Sequence, residues 1–510
     1  MTNRGMFIRK TLSIVCLAAL LTMQAPLPTL HAAALPPAAV PNVTPEEMAR
    51  IKKELGFDGG VALAYQGGGT PGTMPAAAAV SPYSALPAAP GDGSLRNTVL
   101  LTLNNHPIIK VFQENRIASE YDVDRARSGW FPRVDARASY GMGMWHSDAT
   151  RAENRENHWG RRADASVTLS QTLWDGLATA SRVDQSKAQL DSVDSRLFDK
   201  AETLAFDGIM AHIDVIRQRE LVRLCELNVK QHENILVSQQ DREQQGSSTA
   251  ADVTQTQGRL ARSQSSLVDN IAALSQAEAA YIRLTGTPVP EALAPVAAPM
   301  GTAATLEIAL AESQAANPKI EALKSDVLIA EEIINLAKSA FHPNLVAEFG
   351  PSYRYRIEGS KSEEWGMAAL LRLNWNLFNG GYDYNNVKGA TARMRQAKQE
   401  LMNQIDQVGQ DARNTWAQYQ SAIEQARLYL NQVHFNLQTR DAYLEQFDVG
   451  QRSLLELLDA ENELFSSALQ EVTSRLNVIA TQYRLLALEG KLLESFELNR
   501  AQLRATENPR

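Results

Sequence analysis

The chain has 510 residues, with 50 Lys+Arg against 58 Asp+Glu, a formal net charge of −8 and a pI near 5.7. An acidic chain without a basic block offers nothing to a nucleic-acid backbone, so nucleic acid is excluded as a partner. With only two cysteines, Cys16 and Cys225, a disulfide framework is excluded as well.

Residues 1–34 have a secretory pattern. Arg4, Arg9 and Lys10 precede an apolar run from Leu12 to Met23, and Ala32-Ala33-Ala34 offers small residues for cleavage. The run is too short for a membrane span, the alternative being a retained anchor. Cys16 follows Val15, a poor context for lipid attachment. Removal of the signal leaves Cys225 as the one cysteine of the mature chain, read as a packed residue of a long helix. No later stretch holds 18 consecutive apolar residues, so a membrane could be entered only by β-strands. Residues 35–93, with Leu35-Pro36-Pro37 and Gly67-Gly68-Gly69-Thr70-Pro71-Gly72, cannot bury a core and read as a disordered extension. Thr44 to Leu55 is the one short helix expected there. The Gly triplet is not a phosphate loop, because no Gly-Lys-Ser/Thr follows it.

From there the chain is written twice, over 94–286 and 305–490, joined by a Pro/Ala-rich connector at 287–304 and followed by a polar tail at 491–510. Each copy opens with a helix, from His106-Pro107 to about Ser128 and from Asn317-Pro318 to Ser339. Pro132 and Pro343 end these helices and force extended chain. Strands are expected at about 134–145, 166–174, 345–357 and 367–378. In the first, Val134, Ala136, Ala138, Tyr140, Met142 and Met144 alternate with Asp135, Arg137, Ser139, Gly141 and Gly143. Later strands alternate alike: Leu345, Ala347, Phe349, Tyr353 and Tyr355 against Glu348, Gly350, Ser352 and Arg354. Period two over about ten residues is the pattern of an outer-membrane barrel strand. Trp145, Trp174, Trp365 and Phe378 at the strand ends favour this over a soluble sheet with one wet face. His146–Ala165 and Glu358–Glu364 read as exposed loops.

Turns at Asp175-Gly176 and Asn379-Gly380 lead into the longest segments, Leu177 to about Glu243 and Tyr382 to about Gln446, which have no internal proline. Val183, Leu190, Leu197 and Leu204 recur every seven residues, as do Val387, Met394, Leu401 and Val408. The return segments continue with Val253, Leu260, Leu267, Leu274 and Tyr281, and with Leu457, Leu464, Val478 and Leu485, where Glu471 breaks the series. A seven-residue apolar repeat means paired, supercoiled helices. The tips match at 204 positions apart: Gly246 with Gly450, Asp252 with Glu456, Val253 with Leu457. Repetition at a fixed period makes the hairpin the unit of construction. Four strands cannot close a barrel, and lipid tolerates no open edge. Copies must share one; a dimer would supply eight strands and a trimer twelve, the latter leaving room for a conduit.

The duplicated plan, the Leu173-Trp174-Asp175-Gly176 and Leu377-Phe378-Asn379-Gly380 turns, and the tip from Gly450-Gln451-Arg452 to Leu457-Leu458-Asp459-Ala460 resemble the TolC-like outer-membrane factors over about residues 95–490. The resemblance implies an α+β membrane protein: a homotrimer with a twelve-stranded barrel in outer-membrane lipid, continuous with a periplasmic α-helical barrel. It implies export from an inner-membrane pump through a periplasmic adaptor, with no cofactor and no chemistry of its own. Glu456 and Asp459, three apart on one helix face, match acids that face the tunnel in the family; in a trimer they would make a ring of six carboxylates that attracts cations. Asp252, Phe447 and Arg452 fall where the family holds the tunnel closed through contacts between hairpins. Phe447 replaces a frequent tyrosine and loses its hydroxyl. The expected closure is an exposed ion pair contributing about 0–1 kcal/mol. Gly246 and Gly450 permit the tight turns, and Ser247, Ser248, Gln451, Arg452 and Ser453 are expected to meet the adaptor. Asp214 to Glu220 and the Trp174 turn resemble the type I secretion branch, which pairs with an ABC transporter. The alternatives are the exit duct of a drug pump of the RND type and a coiled-coil surface scaffold with no channel. No phosphate loop, nucleophile elbow, His-Glu-x-x-His or Cys/His cluster is present, and His212 and His232 stand isolated on long helices. This excludes the common enzyme and metal readings.

Overall fold

The computed structural model describes residues 92–146, 148–152, 158–356 and 363–504, all within one compact unit. The signal, nearly all of the extension including its expected helix, and the ends of the chain and loops lie outside the described residues.

Each repeat begins with a helix that the sequence reading did not separate: α1 (Leu95–Asn105) and α6 (Leu306–Ala316). Ser94 Oγ and Thr305 Oγ1 cap them, accepting from Asn97 N at 3.2 Å and Ile308 N at 3.4 Å. The second helices, α2 (Pro107–Arg127) and α7 (Pro318–Ser339), start on the expected prolines, capped by His106 and Asn317. Proline suits a first helical position because the N–H it lacks would have no helical partner.

The four strands are β1 (Arg133–Gly143), β2 (Gly160–Trp174), β3 (Asn344–Tyr355) and β4 (Glu363–Asn374), in one antiparallel meander ordered β1-β2-β3-β4. The loop between β1 and β2 is shorter than expected: it holds a five-residue helix, α3 (Asp148–Ala152), and β2 begins six residues before Ser166. Ladder pairing with β1, Gly143 against Gly160, overrides the polar composition of this stretch. β4 stops at Asn374, leaving Trp375 and Phe378 beyond the strand. The register separates two faces. Leu169 lies opposite Val134 and Phe349, Ala347 opposite Leu371, and Tyr353 opposite Trp365, an apolar face. The other carries Ser139, Asp164, Arg354 and Glu364 side by side across all four strands. Among the described residues, the outer edges of β1 and β4 pair with nothing.

The rods are α4 (Ala178–Gln244) and α8 (Tyr382–Asp448), 67 residues each, roughly 100 Å at 1.5 Å per residue. They turn back as α5 (Ala250–Thr285) and α9 (Leu454–Leu488). The seven-residue seam is packed in part: Val183, Leu197, Leu204, Val253, Tyr281, Val408, Leu457, Leu464 and Leu485 are buried, with Glu471 among them, whereas Leu190, Leu260, Leu267, Leu274, Val387, Met394, Leu401 and Val478 are half-buried. Cys225 is a buried free thiol. α4 packs against α5, α7, α2 and α9, whereas α8 meets only α9, α7 and α6 to a comparable degree. α8 therefore leaves Met402, Leu428 and Phe435 exposed.

The segment expected as a polar tail is instead a strap. Short helices α10 (Leu492–Ser495) and α11 (Arg500–Arg504), with the turn between them, bury Leu492, Leu493, Leu498 and Leu503. Arg500 pairs with Glu321 at 2.8 Å and lies 4.2 Å over the Phe198 ring, and Arg504 pairs with Asp194. The strap thus joins α4 of the first repeat to α7 of the second. Beneath it Glu202 is 2% exposed; its Oε1 accepts from Leu493 N at 3.3 Å and its Oε2 has no partner. Burial pushes the Glu202 carboxyl up to about 8. A raised acid binds its proton in the folded state where the unfolded chain has lost it. Its contribution to stability is therefore full below pH 4.5 and is lost as pH rises to about 8. Glu202→Gln should flatten the fall in melting temperature over that window; a fall as steep as in the parent would remove Glu202 as its source.

Candidate functional site: the hairpin tips

The tips are built twice by the same local chemistry. α4 ends at Gly246, whose φ of +73° lets Ser247 N donate to Arg242 O at 2.8 Å. α8 ends at Gly450, φ +76°, with Gln451 N donating to Gln446 O at 2.8 Å. A Cβ at either glycine would meet open space, so the left-handed backbone alone calls for glycine. Each return helix starts with a capping box. Thr249 N donates to Asp252 Oδ2 at 3.1 Å, and Ser453 N to Glu456 Oε2 at 3.1 Å. These bonds hold both carboxyls below the usual range: Asp252 through the Thr249 side chain and backbone, Glu456 through the Ser453 backbone and side chain and then Arg452.

Beneath the second tip lies an apolar cluster of Ile235, Phe447, Leu454, Leu457 and Leu458, with Tyr443 and Leu444 against it. Phe447 is 8% exposed and belongs to this core, so its missing hydroxyl leaves no gap in a polar network. Arg242 of α4 lies 4.3 Å over the Phe447 ring and pairs with Asp448 at 3.3 Å, clasping the second tip from the first hairpin. Two further links join the hairpins. Arg259 of α5 donates to Asp459 at 3.0 Å, and Gln231 of α4 donates to Glu461 at 3.2 Å. Glu461 also takes Arg440 at 3.4 Å, and burial pushes its carboxyl up.

The expected gate residues are placed differently within one chain. Arg452 stays on its own hairpin, donating to Glu456 at 2.6 Å and Gln446 at 2.8 Å and lying 4.3 Å over Tyr443. Asp252 is occupied by its own cap, where Ser248 also donates to it at 3.3 Å. A partner three or four residues away on a helix is reached before a more distant one. Glu456 and Asp459 do lie on one face, each engaged by an arginine. Ser247, Gln451 and Ser453 are exposed. Arg242, Arg259, Gln231 and Glu461 escaped the sequence reading; the one available signal was that Arg259 flanks the seam residue Leu260.

At the opposite end of the rods, the turn at Gly176, φ +66°, packs on the junction that precedes β3. A Cβ there would come within 2.6 Å of His342 Cβ and 2.8 Å of Ser339 O. Its copy, Gly380 at φ +70°, faces open space. Pro132 and Pro343 stand at the two helix-to-strand junctions. His212 is fully buried and bonded to Thr98 Oγ1 at 2.8 Å, and burial pushes it down to about 4, a structural role. Among the described residues no group of His, Cys, Asp or Glu could hold a metal, and no helix is long and apolar enough to cross a membrane.

The family described as "Outer membrane efflux protein" matches residues 99–287 and 309–491, one match on each repeat. The chain is 23% identical over 390 residues to the outer membrane efflux protein BepC of Brucella suis, covering 76% of this chain and 83% of BepC. It is 22% identical over 405 residues to the outer membrane protein TolC of Vibrio cholerae, covering 76% and 89%. The fold matches the CmeC outer membrane channel of Campylobacter jejuni with a TM-score of 0.67 at 14% identity, covering 78% and 86%. The duplicated hairpins, the four-stranded meander and the paired matches agree: the chain belongs to the outer membrane efflux protein family, the TolC-like channels of the outer membrane.

Proposed function

We propose that this protein is the outer-membrane exit duct of a type I protein secretion machine. A homotrimer would take its cargo from an inner-membrane ABC transporter through a periplasmic adaptor. The observation that supports a shared duct is the sheet whose two outer edges pair with nothing among the described residues, continued by two rods of equal length. An open edge in lipid leaves backbone groups without partners, so β4 of one protomer pairs with β1 of the next. α8 then lays its exposed apolar residues against the next protomer's α2 and α5, as α4 already lies against α7 and α9 within the chain.

In this reading the tips are the gate. Arg242 and Arg259 tie the two hairpins of each protomer in the closed state. Separation of the hairpins releases Asp459 from Arg259 and uncovers its carboxylate in each protomer, while Glu456 keeps its bond to Arg452. Ser247, Ser248, Gln451, Arg452 and Ser453 present the surface to the adaptor.

The type I assignment rests on the resemblance of Asp214 to Glu220 and the Trp174 turn to that branch. A small-molecule duct with an RND-type pump is the second reading, favoured by the word efflux in the name of BepC. Deleting the gene separates them. Loss of one large secreted or surface protein with unchanged drug tolerance is the expected result. Drug hypersensitivity with an unchanged set of secreted proteins would replace the first reading by the second.

A further inference from the structure

The polar face of the sheet becomes the barrel lumen once the apolar face meets lipid. Four acids and five arginines of the strands lie on it: Asp135, Asp164, Glu348 and Glu364 with Arg133, Arg137, Arg162, Arg354 and Arg372. The acids are spoken for. Arg133 donates to Asp135 at 2.7 Å, Arg162 to Asp164 at 3.1 Å and Arg372 to Glu348 at 2.8 Å. Arg354 sits opposite both Asp164 and Glu364 in the register.

Neither Arg137 nor Arg354 makes a hydrogen bond or ion pair with a described residue, and both are exposed, but Arg354 has acids on either side of it in its row and Arg137 has none. Its row across the sheet is Arg137, Ser166, Ser352 and Gly366, with no acid in it. The next row toward the helices is Asp135 opposite Thr168, then Gly350 opposite Ala368. On its other side the row is Ser139, Asp164, Arg354 and Glu364, in which acids flank the arginine, so Arg137 is the long cation whose own row holds only small uncharged side chains.

We propose that Arg137, repeated in each protomer, forms a cationic ring inside the barrel that engages anionic groups on passing cargo. It lies in series with the acidic ring at the tips and has the opposite sign. The inference rests on the shared-barrel reading above. A cation with no fixed partner keeps its donors free for carboxylate, sulfate or phosphate oxygens, and a ring of like charges in a narrow lumen selects by sign.

The test is single-channel current through the reconstituted full-length protein in planar bilayers, with tripolyphosphate added on the barrel side. Wild type and Arg137→Lys should be blocked. Arg137→Ser, which copies the serines already in its row, should need about ten-fold more tripolyphosphate, the screened attraction of three exposed charges. Arg133→Ser, which removes a cation already neutralised by Asp135, should shift the block less than Arg137→Ser does. Equal block of wild type and Arg137→Ser, with normal conductance in both, overturns the ring alone. Absence of any channel conductance in wild type overturns the barrel reading and the ring with it.

Discussion

Gly380→Ala is expected to leave the single chain folded and to prevent the trimer, whereas Gly176→Ala should reduce the yield of folded chain itself. Both glycines have left-handed backbone, at φ +70° and +66°, so an added Cβ carries a similar local penalty of about 1–3 kcal/mol. They differ in surroundings. At Gly176 the new carbon would also strike His342 Cβ and the Ser339 carbonyl, within 2.8 Å of both, adding roughly 1–3 kcal/mol of overpacking. At Gly380 nothing lies within 4 Å in one chain. The residues that copy Ser339 and His342 in the first repeat are Ser128 and Phe131. In a closed ring, those of the next protomer would pack on Gly380 as their copies pack on Gly176. Trimer resistance to detergent and heat on a gel reads the outcome. A fully assembled Gly380→Ala protein would show that the two kinds of junction are not equivalent.

Removing Arg242 and Arg259 together should raise the conductance of the closed channel far more than removing Arg452. Arg259–Asp459 is a partly exposed pair worth about 0–1 kcal/mol. Arg242 adds a cation–π contact of about 0.5–2 kcal/mol over the buried Phe447 ring. Three protomers multiply these terms to roughly 3 kcal/mol or more, about a hundred-fold in the opening equilibrium. Arg452 makes its bonds within one hairpin, and those bonds survive separation of the hairpins. Arg452→Ala should therefore leave the closed conductance within about two-fold, an effect near the low end for an exposed i,i+4 pair. If Arg452→Ala opens the channel as widely as the double substitution, the clasp lies between protomers rather than within them.

The elements legible in the sequence are those set by neighbours along the chain. Pro107 and Pro318 start helices, Gly246 and Gly450 end rods, and the heptads of Val183 and Val253 name the packed seam because periodicity is local information. α1 and α6 are not legible as separate helices, although Ser94 and Thr305 cap them, because each is separated from the next helix by a single residue. β2 extended past its alternating stretch because ladder pairing with β1 continued to Gly143. The strap at Leu492 to Leu503 reads as polar in composition, yet its four leucines find α4 and Glu202 far away in sequence. The same long-range choice decided the tips. Which arginine meets which acid depended on how two hairpins lie together, and spacing carries no record of that.

The rods contain the same number of residues, 67 and 67, and their return helices 36 and 35. One residue inserted in a single rod would displace its tip by about 1.5 Å and swing the seam by about 100°. The tips would then no longer be level, and seam residues such as Val183 and Leu204 would turn outward. A change of reach therefore keeps the seam in register most simply in whole heptads, of about 10 Å each. Those heptads must be added to or removed from both rods and the helices beside them together. Reach in such a machine is a stepwise quantity, inherited in matched blocks, and an adaptor has to accommodate whatever fraction of a step is left over.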